Sequence, residues 1–368
     1  MKAAAPPAES EHAVRPARAY APAGIGNLAA GFDVLGAAVA PIDGSLWGDV
    51  VEVRAADARE GTQNRLVCDG PFAHRLPVRP EDNLVWRTKA AFESRLGARL
   101  PPLAFVLHKN LPVASGLGSS AASVAATLAA LNAACGGALG PDALLAAAGE
   151  AETCASGALH LDNVAPAILG GLRMVDPSNH ARLLPFPDEL LIVLFVPELE
   201  LETRVARSVL PREVSVPLAI ALAQNLGALI HALHTRDLGL LRETLRDLLA
   251  EPHRAALVPG FRAVQSAAFA AGALGCSLSG AGPAVFAVIE RERAEAAAEA
   301  GVRAWRAAGI PATARICRID PLGAREIRAT EDSAREIRAP EDDAREIRAP
   351  EDDARKVRAP EDAARGRV

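Results

Sequence analysis

The run LPVASGLGSSAA, residues 111–122, constrains the fold of this chain more than any other segment. Glycines at positions 116 and 118 let the backbone turn sharply and approach a ligand closely. The helix predicted to follow, over Ser123–Ala134, consists almost wholly of small and apolar residues, which is typical of a helix buried in a protein interior. The N–H groups of the loop and the positive end of the helix dipole can converge on an anion. A phosphate group is the expected occupant.

Alone, this run has other interpretations. It is equally compatible with a tight loop capped by Ser119 or Ser120, although one of these hydroxyls could also bind a Mg²⁺ ion held by the phosphates. The spacing Gly116-x-Gly118-x-x-Ala121 matches the dinucleotide pattern, but the residues after it predict two helices instead of a strand with an acidic tip. The P-loop and protein-kinase motifs are absent, so neither of those enzyme classes is indicated.

Composition narrows the class of protein. The chain has 368 residues, of which 50% are hydrophobic, and this length predicts about two globular domains. The chain has 40 basic and 45 acidic residues, so it lacks the excess of positive charge that is typical of binding to nucleic acid or an anionic membrane surface. We therefore expect a small-molecule partner. The five cysteines are scattered and odd in number, which indicates neither disulfides nor zinc and predicts a cytoplasmic location. No apolar run predicts export or a membrane span.

The chain divides into four parts. Residues 1–17 are rich in Ala, Pro and charge and predict a mobile arm, and residues 18–175 alternate short apolar runs with Ala/Leu helices. Residues 176–322 predict a second domain, with a buried strand at Glu189–Val196 and helices that include Pro217–His234 and Leu238–Ala250. Residues 323–368 repeat a ten-residue unit such as AREIRAPEDD, whose single apolar residue cannot build a core, so we expect a disordered tail.

Three segments together resemble the three motifs of the GHMP kinase superfamily, in matching order and spacing. They are residues 22–33 (PAGIGNLAAGFD), 112–122, and 275–288 with the core SGAGP. Three sequence segments resemble those of the homoserine kinases of this superfamily rather than those of its mevalonate or galactose kinases: NLAAGFDVLG, HLDNVAP and EPHRAALVPGF. The resemblance covers residues 18–322.

The resemblance implies an α+β, two-domain fold with an N-terminal ATP-binding domain like ribosomal protein S5 domain 2 and a ferredoxin-like C-terminal domain. ATP and an amino acid would bind between them, and the chain would form a homodimer. The implied reaction is ATP-dependent phosphorylation of the side-chain hydroxyl of L-homoserine, in threonine biosynthesis. Mg²⁺ would accompany ATP as a cofactor.

The resemblance also assigns the site residues. The ATP-binding positions are Asn83, Pro112, Ser115, Gly116, Leu117, Gly118, Ser119 and Ser120. Asn83 could instead simply cap a helix over Leu84–Leu96. Ser120 and Glu152 match the magnesium ligands. The substrate positions are Asn27, Asp33, His160, Asn163, Thr203, Arg207 and Arg254, and the residues expected to act in catalysis are Asn163, Lys109 and Arg207.

These assignments make chemical sense for a zwitterion. Its ammonium group needs an acid such as Asp33, and its carboxylate needs an arginine, either Arg207 or Arg254. We expect Asn163 to orient the substrate hydroxyl and Lys109 to reach phosphate. Whether the adjacent Asp162 acts as a base stays open. Taken singly, each of these residues has an ordinary structural explanation.

The sequence departs from the family pattern in two motifs. Gly24 and Ile25 replace small hydroxyl residues in the first motif, and Ala284 replaces a threonine in the third. The absence of a hydroxyl at Ala284 bears on the reaction rate or the affinity for ligand more than on the family assignment. Two alternatives therefore stay open, a GHMP kinase for another small alcohol and a catalytically inactive ligand-binding protein of the same fold.

Overall fold

The structure is a computed structural model and describes residues 13–57, 63–77, 79–156, 161–328 and 345–348. Within these residues thirteen strands form one sheet, covered by ten α-helices. The strands are β1 (Ala17–Gly26), β2 (Leu35–Pro41), β3 (Gly48–Ala55), β4 (Arg65–Asp69), β5 (Leu103–His108), β6 (Leu172–Val175), β7 (Ala181–Leu184), β8 (Leu190–Pro197), β9 (Gly275–Leu278), β10 (Val285–Glu290), β11 (Ala312–Ile319), β12 (Arg325–Glu326) and β13 (Arg345–Arg348). The helices are α1 (Leu84–Leu96), α2 (Ser119–Ala134), α3 (Pro141–Ser156), α4 (Leu161–Leu169), α5 (Thr203–Ser208), α6 (Val216–Thr235), α7 (Leu238–Thr244), α8 (Glu251–Arg254), α9 (Phe261–Ala270) and α10 (Ala294–Ala307).

Strand β1 joins the two halves of the sheet because it changes partner along its length. Its first part, Ala17–Pro22, pairs with β3, and its second part, Ala23–Gly26, pairs with β2. Beyond β3 the order continues through β5, β4 and β13, and beyond β2 it continues through β11, β8, β10 and β9. The first domain therefore supplies one end of the sheet and the second domain the other. The α+β, two-domain architecture expected from the sequence is confirmed.

Helix α2 lies in the interior of the first domain, where it packs on β1 and β3. Twelve of its sixteen residues are buried, so it is covered on nearly every side. Its many alanines allow this, because small side chains let a helix approach neighbouring strands closely. The helix begins at Ser119, four residues before the predicted start, since Gly118 takes a left-handed φ of 64° and serves as its N-cap.

The second domain has its own core. Strands β8 and β10 pack against α9 and α10 around the buried side chains of Phe195, Phe261 and Trp305. The helix predicted over Leu238–Ala250 ends at Thr244, so that prediction is wrong in its second half. The carboxylate of Asp247 accepts the N–H groups of residues 249–251 at 2.7–3.0 Å, which turns the chain into α8.

Part of the predicted N-terminal arm is ordered. Strand β1 already begins at Ala17, and the N–H of Arg15 donates to the carbonyl of Ala134 at 3.0 Å. Residues 1–12 lie outside the described residues. The boundary of the packed chain is therefore a few residues earlier than the sequence predicted.

The predicted repeat tail also contains ordered chain. Strand β12 pairs with β1 opposite Ala19 and Tyr20. The carboxylate of Glu326 accepts two hydrogen bonds from the guanidinium of Arg15, at 2.7 and 2.9 Å, and the guanidinium of Arg325 lies 4.8 Å from the centre of the Tyr20 ring. Backbone pairing to an existing strand thus orders this segment without a core of its own.

A second repeat unit pairs with the other end of the sheet. Strand β13 is antiparallel to β4, with Arg345 opposite Cys68 and Arg348 opposite Arg65. The sequence REIR of β13 also occurs at residues 325–328, which include β12, and its charged and β-branched residues suit the edge of a sheet. The expected disorder is therefore wrong for residues 323–328 and 345–348, and the rest of the tail lies outside the described residues.

Helix α6 exposes an apolar surface on the second domain. Val216 is 73% exposed and Ile220 is 54% exposed, while Leu229, Ala232 and Leu233 anchor the second half of the helix. The helix is long and apolar enough to cross a membrane, and 17% of its apolar window is buried. The helix predicted over Pro217–His234 is confirmed to within one residue at each end.

We predict that β12 contributes to stability. A chain that ends after Gly323 loses the β12 pairing and the Arg15–Glu326 ion pair, whereas a chain that ends after Arg328 keeps both. We expect the shorter chain to be less stable by about 1–3 kcal/mol, measured by urea unfolding. Turnover of the chain that ends after Arg328 should match that of the full chain. Equal stability of the two truncated chains would contradict this role of β12.

Candidate functional site

The loop between β5 and α2, residues 112–118, is held at both ends by other parts of the protein; we call it the phosphate loop. Near its end, the carbonyl of Leu117 accepts the N–H of Gly24 from β1 at 2.9 Å. Near its start, the carbonyl of Ala114 accepts the N–H of Leu201 from the second domain at 3.1 Å. The phosphate loop thus lies between the first predicted motif and the second domain.

The turn between β9 and β10 holds the middle of the phosphate loop. The carbonyl of Ser115 accepts the N–H of Ala284 at 3.0 Å, and the carbonyl of Gly116 accepts the hydroxyl of Ser279 at 2.6 Å. A Cβ atom at Gly116 would lie 2.4 Å from the Ser279 carbonyl oxygen, so this close approach requires glycine. The four successive carbonyl groups of residues 114–117 are therefore all hydrogen-bonded to donors in other parts of the protein.

The backbone of the phosphate loop is left-handed at every second residue. The φ angles are 56° at Ala114, 80° at Gly116 and 64° at Gly118. This alternation directs successive N–H groups into one concavity, which is a recurring anion site. In α2 the N–H of Ala122 donates to the Gly118 carbonyl, so the N–H groups of residues 119–121 precede this bond and point towards the same concavity. The arrangement suits a polyphosphate.

The side chains of Pro112, Ser115 and Leu117 serve the loop itself. The hydroxyl of Ser115 donates to the carbonyl of Pro112 at 2.7 Å, and the Leu117 side chain is fully buried. The buried Ser119 behaves similarly, because its hydroxyl donates to the Leu111 carbonyl at 3.2 Å. Backbone groups rather than these side chains are therefore available to an anion.

Ser120 differs from Ser119 because its side chain is exposed and its hydroxyl is hydrogen-bonded to Glu152 of α3. A hydroxyl and a carboxylate beside the anion concavity fit a Mg²⁺ ion, which takes oxygen ligands and completes its shell with phosphates and water. The described residues contain no group of three His, Cys, Asp or Glu side chains that could hold a metal ion. The fit is therefore to a metal that arrives with the nucleotide.

Burial raises the pKa of Glu152, while the Ser120 hydroxyl and the nearby positive charge of Lys109 lower it. Burial is the largest of these effects, so the carboxyl group stays protonated to a higher pH than an exposed glutamate. A cation beside it would favour the ionised form. Metal binding and the ionisation of Glu152 should therefore be coupled.

Lys109 lies beneath the phosphate loop rather than beside a phosphate. Its side chain is 2% exposed, and its Nζ atom donates to the Ser119 carbonyl at 2.8 Å, the Ser123 hydroxyl at 3.0 Å and the carboxylate of Asp49. An ammonium group has three donors, and these contacts use all of them. This differs from the expectation that Lys109 reaches phosphate.

A strained loop follows β1 on the substrate side of the site. Asn27, Leu28, Ala29 and Asp33 all have left-handed φ angles, between 39° and 71°. Such conformations are uncommon for non-glycine residues and concentrate at functional sites. The buried Asn27 side chain holds the loop, because its Nδ2 donates to the Gly280 carbonyl at 3.2 Å and its Oδ1 accepts the Asp33 N–H at 3.1 Å. Asn27 thus fixes the position of Asp33.

Asp33 and Arg207 form a two-pronged ion pair. The guanidinium of Arg207 donates to both carboxylate oxygens of Asp33, at 2.7 and 3.1 Å, and each side chain is 34% exposed. The Phe32 ring lies beneath Arg207 at 5.7 Å and beneath Arg254 at 5.3 Å. Two opposite charges are therefore held side by side at a partly open surface.

Arg254 is more deeply placed than Arg207. It is 2% exposed, and its Nε and Nη1 atoms donate to the carbonyls of Ala206 at 2.9 Å and Gly280 at 3.0 Å. Burial lowers the pKa of Arg254, and the positive charge of Arg207 lowers it further. The guanidinium thus ties α5 to the turn between β9 and β10. The expectation that either Arg207 or Arg254 binds the substrate carboxylate stays a prediction.

Asp162 and Asn163 at the start of α4 lie in different environments. Asp162 is 2% exposed, whereas Asn163 is partly exposed and its amide lies against Gly26. The Nδ2 atom of Asn163 donates to Asp162 at 3.0 Å, which leaves its Oδ1 as an acceptor. Burial, and then the negative charge of Asp33, raise the pKa of Asp162 to about 7.

The remaining predicted residues take other positions. Asn83 is buried and caps α1, since its Oδ1 accepts the Val85 N–H at 2.9 Å, which is the alternative that its sequence position allowed. Thr203 is exposed on α5, four residues before Arg207 and so on the same helix face. His160 lies outside the described residues.

The departures from the family pattern keep their backbone contacts. Gly24 and Ala284 each donate an N–H group to a carbonyl of the phosphate loop, and Ile25 is buried. The missing hydroxyls therefore do not remove the bonds that position the loop.

Sequence reasoning missed several residues of the site, including Asp49, Ser123, Ser279 and Phe32. Asp49 follows a glycine at the start of β3, where it resembles an ordinary turn acid. Ser279 and Phe32 lie inside predicted motifs, so the motifs marked their segments but not their contacts. No local signal identifies Ser123 as a polar contact within an apolar helix.

Comparisons with known proteins identify the family. The profile of the GHMP kinases N terminal domain matches residues 83–171, and that of the GHMP kinases C terminal domain matches residues 229–307. A homoserine kinase structure from Cytophaga hutchinsonii is 34% identical and has a TM-score of 0.79, with 85% of this chain and 97% of that chain covered. A Listeria monocytogenes protein provisionally named a homoserine kinase is 25% identical (TM-score 0.61; 86% and 100% covered). The Methanococcus jannaschii mevalonate kinase, at 12% identity, shares the fold (TM-score 0.58; 83% and 98% covered).

We predict that Glu152→Gln weakens Mg²⁺-dependent nucleotide binding at least about tenfold, because the amide keeps the size of the side chain but lacks the charge. The wild-type affinity for Mg²⁺ should fall as pH falls through the raised pKa of Glu152, and the variant should lack this dependence. Titration of Mg²⁺ at several pH values, at fixed ATP, measures both effects. Unchanged affinity in a folded variant would remove Glu152 from the metal site.

We predict that Asp162→Asn stabilises the fold progressively as pH rises. The pKa of Asp162 is 3.8 when unfolded and about 7 when folded, so the folded state retains a proton that the unfolded state releases between these values. Wild-type stability should therefore decrease with rising pH, by up to ~1.4 kcal/mol per pH unit within that window, and the variant lacks this loss. Urea unfolding of both proteins at about pH 5 and pH 8 tests this. The same difference in unfolding free energy between the two proteins at both pH values would contradict this prediction.

Proposed function

Since this chain belongs to the GHMP kinases, we propose that it transfers the γ-phosphate of Mg-ATP to the side-chain hydroxyl of L-homoserine, giving O-phospho-L-homoserine for threonine biosynthesis. The Asp33–Arg207 ion pair carries the substrate half of this proposal. The 34% identity to the Cytophaga hutchinsonii homoserine kinase supports it.

The ion pair suits an amino acid because it presents one charge of each sign at a partly open surface. The substrate ammonium would take the place of Arg207 at the Asp33 carboxylate, and the substrate carboxylate would take the place of Asp33 at the guanidinium. A zwitterion leaves no charge unpaired in this exchange, whereas a ligand with a single charge leaves one. An uncharged alcohol such as a sugar gains nothing from either side chain.

The phosphate loop, with Ser120 and Glu152, forms the nucleotide half of the site. Bound Mg-ATP supplies the phosphoryl group and a metal ion that neutralises its charge. The chain contributes backbone N–H groups and the α2 dipole to the phosphates, with the Ser120 hydroxyl and the Glu152 carboxylate for the metal. Positioning and charge neutralisation are the main requirements for phosphoryl transfer.

Asn163 is placed to orient the acceptor hydroxyl. Its Nδ2 atom donates to Asp162, so its Oδ1 atom can accept a hydrogen bond from the hydroxyl and turn an oxygen lone pair towards phosphorus. We assign Asp162 the role of fixing this amide rather than that of a base, because its side chain is almost fully buried. Arg254 would act by holding α5, and Arg207 would bind the substrate directly.

The remaining parts of the proposal concern location and assembly. The cysteines described by the structure, Cys68, Cys135, Cys276 and Cys317, are free thiols, which supports a cytoplasmic location. The exposed apolar residues of α6 would suit a homodimer contact. Both stay predictions.

A coupled ADP-release assay with homoserine, threonine, serine, mevalonate and galactose tests the function. We expect homoserine to be the preferred acceptor. Preference for another alcohol would indicate a different GHMP kinase, and ATP binding without turnover of any acceptor would indicate an inactive binding protein.

We predict that Arg207→Leu removes most of the preference for a carboxylate. The test compares kcat/KM for homoserine with kcat/KM for 3-amino-1-propanol, which lacks the carboxylate. A charge-assisted contact is worth about 1.5–3 kcal/mol, so its loss should reduce the preference for homoserine by roughly 10- to 150-fold. Arg204→Leu is a matched control, because Arg204 lies on the same helix with its side chain 89% exposed. ATP affinity should not change in either variant. A retained preference in Arg207→Leu would contradict the substrate assignment.

A further inference from the structure

We propose that Asp49, Lys109 and Ser123 form a buried network that positions the phosphate loop for nucleotide binding. The proposal rests on the kinase function proposed above and gives roles to three side chains that need not touch substrate, nucleotide or metal. They are positioning residues, and they act through the backbone of the loop.

The network holds the chain where it enters the phosphate loop. The Asp49 Oδ1 atom accepts the backbone N–H groups of Asn110 at 3.0 Å and Leu111 at 3.1 Å. The Asn110 side chain adds a bond to the carbonyl of Gly48 at 3.1 Å. The last residues before the loop are therefore fixed to the start of β3.

The same network holds the chain where it leaves the loop. The hydroxyl of Ser123 donates to the Asp49 Oδ2 atom at 2.7 Å, and the Nζ atom of Lys109 donates to the carbonyl of Ser119 at 2.8 Å. Lys109 also contacts Asp49 and donates to Ser123 at 3.0 Å. One carboxylate thus ties both ends of the loop together. The span of the loop and the direction of the first turn of α2 follow from these bonds.

Stability alone does not account for a charged pair in this position. Replacing a buried ion pair by apolar residues of similar volume is often neutral or stabilising, because each charge loses its hydration on burial. What the pair provides is direction, since both charged groups bond to defined atoms at the two ends of the loop. Apolar side chains could fill the same space without fixing those atoms.

The charges also suit an anion site. The Asp49 carboxylate and the Lys109 ammonium neutralise each other, so the first turn of α2 keeps its partial positive charge for a phosphate. The network therefore positions the loop without adding a net charge beside the anion site.

Ser123→Ala is the mildest test, because it removes one hydroxyl that bonds to both charged groups. Thr127→Val is its matched control, since Thr127 is also buried on α2 and its hydroxyl donates only to the Ser123 carbonyl, at 2.7 Å. We expect Ser123→Ala to weaken ATP binding about tenfold by calorimetry, with the KM for homoserine unchanged. Thr127→Val should bind ATP normally even if both variants melt at lower temperature.

Adenosine separates the loop from the rest of the nucleotide site, because it lacks phosphates. We expect Ser123→Ala to bind adenosine as tightly as wild type does. Equal losses of ATP affinity in Ser123→Ala and Thr127→Val, or an equal loss for adenosine and ATP, would overturn the proposal.

The double variant Asp49→Asn/Lys109→Met gives a second test that leaves no unpaired buried charge. Its asparagine keeps an acceptor for the N–H groups of residues 110–111, so it should fold, as judged by circular dichroism. We expect a larger loss of ATP affinity than in Ser123→Ala, and wild-type affinity in the folded double variant would overturn the proposal. A wild-type chain that binds ATP but does not phosphorylate homoserine contradicts the proposed substrate alone, whereas one without affinity for ATP overturns both proposals.

Discussion

The site depends on the hydrogen bonds that turn four successive carbonyls of the phosphate loop into the protein. Donors from β1, from the turn between β9 and β10 and from Leu201 hold these carbonyls. Because N–H and C=O groups lie on opposite sides of each peptide unit, this orientation decides where the N–H groups can point. Both domains contribute donors, so the anion site exists only when the two domains are folded against each other.

Sequence reasoning succeeded where the signal was local. The limits of α1, Leu84–Leu96, were predicted correctly because Asn83 and Gly97 mark its ends within the helix sequence itself. The motifs identified the segments that meet at the site. The contact of Lys109 could not be predicted, because its partner Asp49 is 60 residues away in sequence and resembles an ordinary turn residue. The pairing of β12 with β1 could not be predicted for the same reason, because composition alone predicts that the tail is unpacked.

The substrate side of the site illustrates a general property of charged pockets. Asp33 and Arg207 would each lose hydration in a partly closed site if they stood alone. By pairing with each other they stay stable before any ligand arrives, and the strained loop and Phe32 keep them in place. A ligand must then offer the same two charges to replace the pair. The proposed selectivity for a zwitterion would thus follow from how the two charged side chains stabilise each other.

The continuous sheet limits how this protein can move. Strands β2 and β11 pair across the domain boundary from Val39 to Pro41, so hinge bending between the domains would break backbone hydrogen bonds. Entry and release of small molecules must therefore come from motion of short segments at the rim. Helix α5 is a short segment of this kind, with six residues of which only Ala206 is buried, although its motion would have to break the Arg254 bond to Ala206 and the Arg207–Asp33 ion pair. The rate at which products leave would then be set by a gate of a single helical turn or two, rather than by closure of whole domains.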